Sequence, residues 1–567
     1  MTEFFLVFAL AIALGWPLGR YLAAVMRGAP MRGDRLFGVI ERPLYRLLGV
    51  DPAQGMGWKG YAKAFLLSNL VLGVIVWVVL MTQAWLPLNP NDAPNMRWDL
   101  ALHTMVSFLT NTNQQHYSGQ AQLSHLAQMT GIVGLQVVTP MMGLALVAAT
   151  LRGLFGGREK SAATTNTNGD ADVGNYWADV IRPTVRFLLP LCLVWSLALT
   201  WQGVPSTLQG GPVATPIDAA ADMTEQKIAV GPVAPMVAVK QLGTNGGGWY
   251  GPNSAVSLEN PTPFSNLLET LAIILIPVSI AFMVGGFTGR KKFTALVFGT
   301  MLTMSVISTG AAVWSESYSA TSSDIALMEG KEVRFGSTPS ALWAAVTTQT
   351  SNGSVNAMHD SLAPLTGLVT LGNMLVNSIW GGIGCGLQQF LVYLLLSVFL
   401  AGLMTGRTPE LFGRKIEAHE VKLLAALVLL QPLALLAFTA FTLAVPSITG
   451  HSNRSFHGIS QVFYEYTSAF ANNGSGFEGL GDATYWWNLS TSLMLALGRY
   501  PALIIPLAIA GSLARKRAAP EGPGTLKVET PTFALTLIAV VVILTLLQFM
   551  PVLVLGPVAD HLALSAL

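Results

Sequence analysis

Ten apolar segments occur along this chain, each long enough or nearly long enough to cross a membrane. A spanning helix needs about 20 mostly apolar residues, and all its backbone groups must find partners inside the protein. The chain is 52% hydrophobic and only 11% charged, whereas soluble domains carry about 25% charged residues. The sequence therefore predicts an all-α membrane protein with spans at 3–23, 64–86, 124–151, 187–203, 264–289, 293–314, 365–404, 422–446, 485–513 and 531–555.

Lys and Arg are concentrated in every second loop between these segments. Short cytoplasmic loops of membrane proteins carry an excess of these residues. The loops after the first, third, fifth, seventh and ninth spans are therefore predicted to be cytoplasmic, with both termini on the external side. The Thr-, Asn-, Asp- and Gly-rich loop 161–180 is predicted to be a mobile cytoplasmic connection. The net charge of only +2 gives no indication of nucleic-acid binding.

Four short Asn-rich motifs lie in the external loops, each after a stub too short to span a membrane. The stubs are at 100–109, 232–242, 339–350 and 458–470, and as helices they reach about 15–20 Å. The motifs read Thr110-Asn111-Thr112-Asn113, Thr244-Asn245-Gly246-Gly247-Gly248, Ser351-Asn352-Gly353-Ser354 and Asn472-Asn473-Gly474-Ser475. Alignment of their second-position Asn residues spaces the motifs 134, 107 and 121 residues apart and leaves Thr112 where the others have Gly.

A unit of span, half-helix, motif and span thus occurs four times. Internal repeats of this kind indicate a pseudo-symmetric pore or transporter with its site where the repeats meet. The sequence predicts about ten transmembrane helices in four pseudo-symmetric membrane–pore–membrane repeats around a filter like that of a K+ channel. The division is 1–63 (N-terminal helix and cytoplasmic loop), 64–186, 187–292, 293–421 and 422–530 (repeats one to four) and 531–567 (C-terminal helix).

The motifs have the chemistry of a binding site for a monovalent cation. A ring of backbone carbonyls can replace the hydration shell of a cation, and the C-terminal ends of the half-helices add partial negative charge. The segments 107–120, 241–255, 348–358 and 468–477 contain no Asp or Glu, whereas hard divalent cations favour carboxylates. We predict that K+ binds at Asn111, Thr112, Asn113, Thr244, Asn245, Gly246, Ser351, Asn352, Gly353, Asn472, Asn473 and Gly474. K+ is expected as the transported ligand, without a further cofactor.

At these motifs the chain resembles the KdpA family, the potassium-binding and translocating subunits of the bacterial Kdp potassium pump. The segments that carry the resemblance are 110–119, 242–248, 355–361 and 471–475, and it extends over essentially the whole chain. It implies a potassium-channel-like fold of four repeats in the bacterial inner membrane. It also implies a P-type ATPase subunit (KdpB-like), a single-span subunit on the external side (KdpC-like) and a very small accessory helix as partners.

The chain itself has neither an Asp-Lys-Thr-Gly phosphorylation motif nor a GxxxxGK[ST] phosphate loop. We therefore expect a non-catalytic subunit whose partner chain hydrolyses ATP, embedded in the lipid bilayer.

Further residues are predicted to act below and above the filter. Gly381, Gly382 and Gly384 lie near the middle of the segment 365–404 and should break that helix. The resemblance suggests that the break is a gating loop beneath the filter or a branch point toward the pump subunit. Close helix packing through small residues is the alternative.

Arg499 lies deep in the ninth span, where it is interpreted as a barrier to cation leakage; an ion pair with a buried acid or a carbonyl cap is the alternative. Arg407 matches a family position at the end of a span, and Gln115 follows the first motif at the expected filter mouth. By the resemblance, Asn377 stands where the family often has Glu.

Three functions remain open from the residues alone. The first is an ATP-driven potassium uptake subunit, and the second is a self-sufficient channel-like K+ or Na+ transporter driven by the membrane potential. The third, a membrane enzyme, lacks a cluster of His, Asp or Glu in the spans. The eight histidines show no paired metal-ligand spacing, so His116 and His359 are interpreted as loop residues.

Overall fold

The computed structural model describes residues 2–156, 171–218, 224–322, 328–449, 453, 455–520, 522 and 525–566. Their α-helices, numbered in chain order, are α1 Thr2–Met26, α2 Asp34–Leu47, α3 Trp58–Thr82, α4 Trp98–Leu109, α5 Gly119–Gln122, α6 Val133–Phe155, α7 Tyr176–Pro183, α8 Leu189–Trp201, α9 Val233–Leu242, α10 Pro263–Thr288, α11 Lys291–Tyr318, α12 Ser337–Gln349, α13 Pro364–Val376, α14 Cys385–Met404, α15 Ala418–Ala444, α16 Pro446–Thr449, α17 Phe456–Phe470, α18 Tyr485–Arg515, α19 Pro531–Leu553 and α20 Ala559–Ser565. Of the predicted mobile loop 161–180, residues 161–170 lie outside the described part of the chain.

Strands contribute very little to the fold. Two antiparallel pairs of two-residue strands occur in the described residues: β1 Val213–Ala214 with β2 Gln226–Lys227, and β3 Glu410–Leu411 with β4 Arg414–Lys415. The predicted all-α membrane class is confirmed.

Ten helical segments of the described residues are long and apolar enough to cross a membrane, as predicted. They are Thr2–Met26, Trp58–Trp85, Ala127–Phe155, Tyr176–Trp201, Pro263–Thr288, Lys291–Tyr318, Cys385–Met404, Ala418–Ala444, Tyr485–Arg515 and Pro531–Ser565. The fourth begins 11 residues before its predicted start of 187, because a π-helical turn at Thr184–Leu188 joins α7 to α8 without interruption. The predicted long seventh segment is divided into α13 and α14.

The four predicted half-helices are α4, α9, α12 and α17. They contain 12, 10, 13 and 15 residues, so at 1.5 Å per residue they reach only about 15–23 Å. Each is almost completely buried, with polar as well as apolar side chains inside the protein. Burial in protein is the condition under which helix ends and loops are tolerated at membrane depth.

The N-terminal helix α1 lies outside the four repeats and packs on α10. Gly15 and Gly19 of α1 face Val278 and Ser279, and a Cβ at Gly19 would overlap the carbonyl oxygen of Ser279. Small residues one turn apart allow two helices to approach this closely in a membrane. The extra helix therefore supports the second repeat from outside.

The start of α17 is held by one histidine between two carboxylates. His457 Nε2 lies 2.8 Å from Asp360 Oδ1, in the loop before α13, and its Nδ1 lies 3.1 Å from Asp560 Oδ2 of α20. The hydrogen bonds to Asp360 and Asp560 raise the pKa of His457 to about 9. The fourth half-helix is thereby connected to the third repeat and to the C-terminal helix.

This histidine predicts a pH dependence of stability. Because the pKa of His457 is raised in the folded protein from its usual value of about 6.5, its stabilising effect is complete below pH 6.5 and is lost as the pH rises through about 9. His457→Gln should therefore lower the melting temperature most at pH 6 and hardly at all at pH 10. Melting curves of both proteins across this range measure the difference. A difference that is constant with pH would contradict the assignment.

Candidate ion-binding site

The four motifs follow the half-helices with the same unusual backbone. The first residue after each C-terminal cap has a positive φ: Asn111 61°, Thr244 49°, Ser351 50° and Asn472 54°. A positive φ returns two residues later at Asn113 (56°), Gly246 (67°), Gly353 (85°) and Gly474 (103°). Non-Gly residues rarely adopt this region. Its recurrence at matching positions shows that the motifs are four copies of one loop.

The structure corrects the register of the first motif by one residue. Thr112 N and Asn113 N both donate to Ser107 O, as Asn245 N and Gly246 N both donate to Lys240 O. Three side-chain bonds between the two repeats, from Asn111, Asn113 and Gln115, likewise reach residues 133 positions further along the chain. Asn113, and not Thr112, therefore stands where the other motifs have Gly. Asn can take this place because it adopts positive φ more readily than most residues.

Close approach of neighbouring motifs closes them into a ring. A Cβ at Gly246 would overlap the carbonyl oxygen of Asn352 in the third motif. In the same way, a Cβ at Gly353 would overlap the oxygen of Asn473, and one at Gly474 that of Thr112. Asn113 completes the circle, since its Nδ2 donates to Gly246 O at 2.9 Å. The repeats are thus arranged in chain order around one axis.

Asn side chains join the second, third and fourth motifs each to the repeat before it. Asn245 Nδ2 donates to Asn111 Oδ1 at 2.6 Å, Asn352 Nδ2 to Lys240 O at 3.0 Å, and Asn473 Nδ2 to Thr347 O at 2.9 Å. Thr112 occupies the equivalent place in the first motif, but its hydroxyl lies 2.8 Å from that of Thr110 in the same motif.

The boundary between the first and fourth repeats is bridged differently. Gln114 Nε2 donates to Glu465 Oε1 of α17 at 2.5 Å, and His116 Nε2 lies 3.2 Å from the same oxygen. Burial alone would lower the pKa of His116, but the carboxylates of Asp482 and Glu465 outweigh it and raise the pKa to about 9. Nothing in the sequence indicated that Glu465 contacts the first repeat, because Glu465 lies about 350 residues away from Gln114 and His116.

A second buried charge that the sequence did not reveal lies behind the second motif. Lys240 of α9 is fully buried, pairs with Glu259, and donates to Ser254 Oγ at 2.8 Å. Ser254 donates to Glu269 Oε2 at 2.7 Å. In the third and fourth repeats the equivalent residues, Thr347 and Ser468, instead accept a hydrogen bond from the filter glycine through their hydroxyls.

A cavity of about 430 Å³ opens onto the ring. Asn113, Gly247, Gly353 and Gly474 line it, together with the carboxylates of Glu465, Glu478 and Asp482. Gln115, the predicted mouth residue, also lines it, and its amide exchanges two hydrogen bonds with the backbone of Gly248 at 2.7 and 2.9 Å. The cavity gives a cation access to the motifs from the side that carries acidic groups.

The predicted helix break lies directly against three of the motifs. α13 ends at Asn377, whose φ is 45°, and α14 begins at Cys385. Ser351 Oγ donates to Asn377 Oδ1 at 2.8 Å, and Asn377 Nδ2 donates to Ala471 O at 3.2 Å. Ile383 N donates to Thr244 Oγ1 at 3.1 Å. We call residues 377–384 the loop below the filter.

The glycines of this loop permit a tight path. Gly381 and Gly384 have φ values of 61° and 98°. A Cβ at Gly384 would overlap the backbone of Gly143 in α6, and one at Gly382 would press on the Ser351 side chain. These contacts reconcile the two sequence interpretations, because the glycines both break the helix and allow close packing.

The two predicted arginines lie in different places. Arg499 is only 2% exposed, and its guanidinium donates to Cys385 Sγ at 3.0 Å and to Thr139 O at 3.4 Å. In the part of the chain that the structure describes, Arg499 forms no ion pair with a carboxylate. Arg407, by contrast, is exposed and donates to Thr525 O at 3.3 Å. The structure therefore brings Arg499, but not Arg407, to the loop below the filter.

Comparisons with known proteins agree with this architecture. The family model described as potassium-transporting ATPase A subunit matches residues 5–562. A potassium-transporting ATPase potassium-binding subunit from Gloeobacter violaceus is 47% identical over 559 residues, covering 96% of this chain and 95% of that one. The protein of the same name from Pseudomonas putida is 44% identical and covers 99% and 98%.

A solved structure is similar in fold. The crystal structure of the potassium transporter TrkH from Vibrio parahaemolyticus matches with a TM-score of 0.50 and 15% sequence identity. The match covers 87% of this chain and 97% of that one. At this identity the likeness concerns the fold alone.

The ring geometry predicts that its glycines cannot be replaced. Gly353→Ala should destabilise the protein by at least about 1–3 kcal/mol, the usual cost of a strained backbone position, because φ is 85° and the added Cβ overlaps Asn473 O. Melting temperatures of the purified protein measure the effect. Gly310→Ala is the control, since Gly310 lies within α11 and has nothing within 4 Å of an added Cβ; equal melting temperatures in the two variants would contradict the ring.

Proposed function

The chain belongs to the potassium-transporting ATPase A subunit family, and we propose that it binds external K+ and passes it into the membrane within an ATP-driven uptake complex. The observation that carries the proposal is the closed ring of four motifs beneath an external cavity. The motifs themselves are neutral, so the charge needed to attract a cation comes from the acids of the cavity.

The K+ site in this proposal is formed by the motif backbones. The residues are those of the corrected register: Asn111, Thr112 and Asn113 in the first motif, Thr244, Asn245 and Gly246 in the second, Ser351, Asn352 and Gly353 in the third, and Asn472, Asn473 and Gly474 in the fourth. Carbonyl oxygens suit K+ because they substitute for water without adding a charge that would hold the ion too firmly. In this proposal, Gln115 fixes the shape of the mouth through which K+ enters the ring.

The energy for transport comes from another chain in this proposal. The relatives are named as potassium-binding subunits of ATPases, and this sequence carries neither nucleotide-binding nor phosphorylation motif. We propose a P-type ATPase subunit, a single-span subunit on the external side and a small accessory helix as partners in a bacterial inner membrane. Both termini lie on the external side, as the alternation of basic loops indicates.

Ion uptake by the reconstituted complex tests the function. Proteoliposomes containing this chain and its copurifying subunits should take up K+ only with ATP, and should discriminate against Na+ at equal concentration. Uptake is measured with a K+-sensitive dye or with 86Rb+. Uptake that ignores ATP, or that this chain supports alone, would contradict the proposal and favour the self-sufficient transporter.

Arg499 acts as the barrier to leakage in this proposal. Its buried guanidinium lies beside the loop below the filter and has no carboxylate to neutralise it among the described residues. A cation on its way to the cytoplasm would therefore meet an uncompensated positive charge in a region of low dielectric constant, where repulsion is strong.

Substitution of Arg499 should uncouple transport from ATP hydrolysis. In Arg499→Gln proteoliposomes, K+ accumulated with ATP should leak out faster after ATP is removed, while the K+ concentration for half-maximal uptake stays within about threefold of wild type. Arg499→Lys, which keeps the charge, is the matched control and should remain coupled. A change in K+ affinity without a change in leakage would count against the barrier.

A further inference from the structure

Three side chains converge in the external cavity at the boundary between the first and fourth repeats. His116 Nε2 lies 3.2 Å from Glu465 Oε1 and 3.8 Å from Asp482 Oδ2, and the three ligand atoms all lie within 4.8 Å of one another. Ligands held about 2.0–2.2 Å from a tetrahedral metal ion are themselves about 3.3–3.6 Å apart. The two separations from His116 are therefore close to those that one shared ion requires.

The orientation of the His116 ring is fixed from its other side. His116 Nδ1 lies 2.7 Å from Asn488 Oδ1, and Asn488 Nδ2 donates to Asp99 Oδ2 at 2.8 Å. Because the amide nitrogen is occupied by Asp99, the amide oxygen must face His116, and Nδ1 must carry the proton. Metal-bound histidines keep this pattern, in which the second nitrogen donates to an oxygen. Nε2 then faces two carboxylates and needs either a proton or a metal ion.

Gln114 lies beside the same cluster. It is only 2% exposed, and its amide also faces His103, whose ring stacks on that of His116 with the centroids 3.7 Å apart. Its Nε2 lies 2.5 Å from Glu465 Oε1, so the amide is directed at the cluster. The two ends of an amide are exchanged by a half-turn of the group. After that turn, two oxygens would face each other, a contact that only a cation between them makes favourable.

We propose that His116, Glu465 and Asp482 bind a first-row divalent metal ion of the Zn2+ type, with Gln114 as a further oxygen ligand. An imidazole nitrogen combined with carboxylate oxygens suits Zn2+, whereas K+ prefers oxygen ligands alone. Binding displaces the proton from His116 Nε2. The ion reaches the site through the external cavity, where the Asp482 side chain is 30% exposed.

Such an ion would lie at the boundary between the first and fourth repeats. It would connect α17 to the loop after the first motif, at the boundary where Thr112 stands in place of the bridging Asn of the other motifs. It would also place two positive charges in the cavity from which K+ enters the ring. We therefore expect the bound metal to slow K+ uptake; this consequence rests on the proposed function, but metal binding itself does not.

Zn2+ binding to the purified full chain, together with its copurifying subunits, tests the site. Calorimetry or competition with a chromogenic chelator should show one ion per chain that is bound at least tenfold more weakly by Glu465→Gln and by Asp482→Asn. Glu478→Gln is the matched control, because it changes a carboxyl group of the same cavity that is not a proposed ligand. Asp482 lies in a loop, so its variant should fold normally, as a melting curve will verify.

Two binding results would overturn the proposal. If both variants bind Zn2+ as well as wild type, the ion lies elsewhere. If Glu478→Gln weakens binding as much as the other two, the cavity merely attracts cations and does not ligate them. Inhibition of K+ uptake by Zn2+ should follow the same order among the variants. If Zn2+ inhibits K+ uptake but the variants do not follow the order of their Zn2+ affinities, the bound metal is not what slows K+ entry. Failure of K+ uptake in the absence of Zn2+ would instead contradict the proposed function.

Discussion

The structure depends on how four non-helical loops satisfy their backbone groups within a membrane protein. Each loop leaves its half-helix through a residue of positive φ, and its next amides return to a carbonyl or hydroxyl one turn earlier, at Ser107, Lys240, Thr347 and Ser468. Some further partners lie in the same repeat, such as Ser107 Oγ and Trp343 Nε1, and others come from neighbouring repeats through Asn side chains. No single repeat could therefore hold its loop alone, and the ring forms only when all four are in place.

The sequence was sufficient for the parts of the fold that depend on local chemistry. The ten spans follow from apolar length, the half-helices from stubs too short to cross, and the division of the seventh segment from its glycines. The register of the first motif was wrong because matching by residue identity placed Asn111 on Asn245. What the loop requires is a residue that tolerates positive φ, and Asn113 meets this requirement as Gly does. Glu465 was missed because its partners Gln114 and His116 lie about 350 residues away, and Lys240 was missed because no local pattern marked its burial or its pairing with Glu259.

The four repeats share a backbone but differ in the side chains behind it. The second has a buried Lys240–Glu259 pair where the third and fourth have hydroxyls, and the first has Thr112 where the others have a bridging Asn. The loop below the filter occurs in the third repeat and contacts the second and fourth repeats through Ile383 and Asn377. The ring is therefore four-fold in its backbone and asymmetric in its surroundings.

We propose that the ring itself holds the transported ion. Anomalous scattering from crystals of the purified protein soaked in Rb+ or Tl+, which substitute for K+, measures this directly. We expect an anomalous peak on the ring axis in contact with backbone oxygens from all four motifs, which excess K+ removes and Na+ does not. A peak found only against Glu465 and Asp482, with nothing inside the ring, would contradict it.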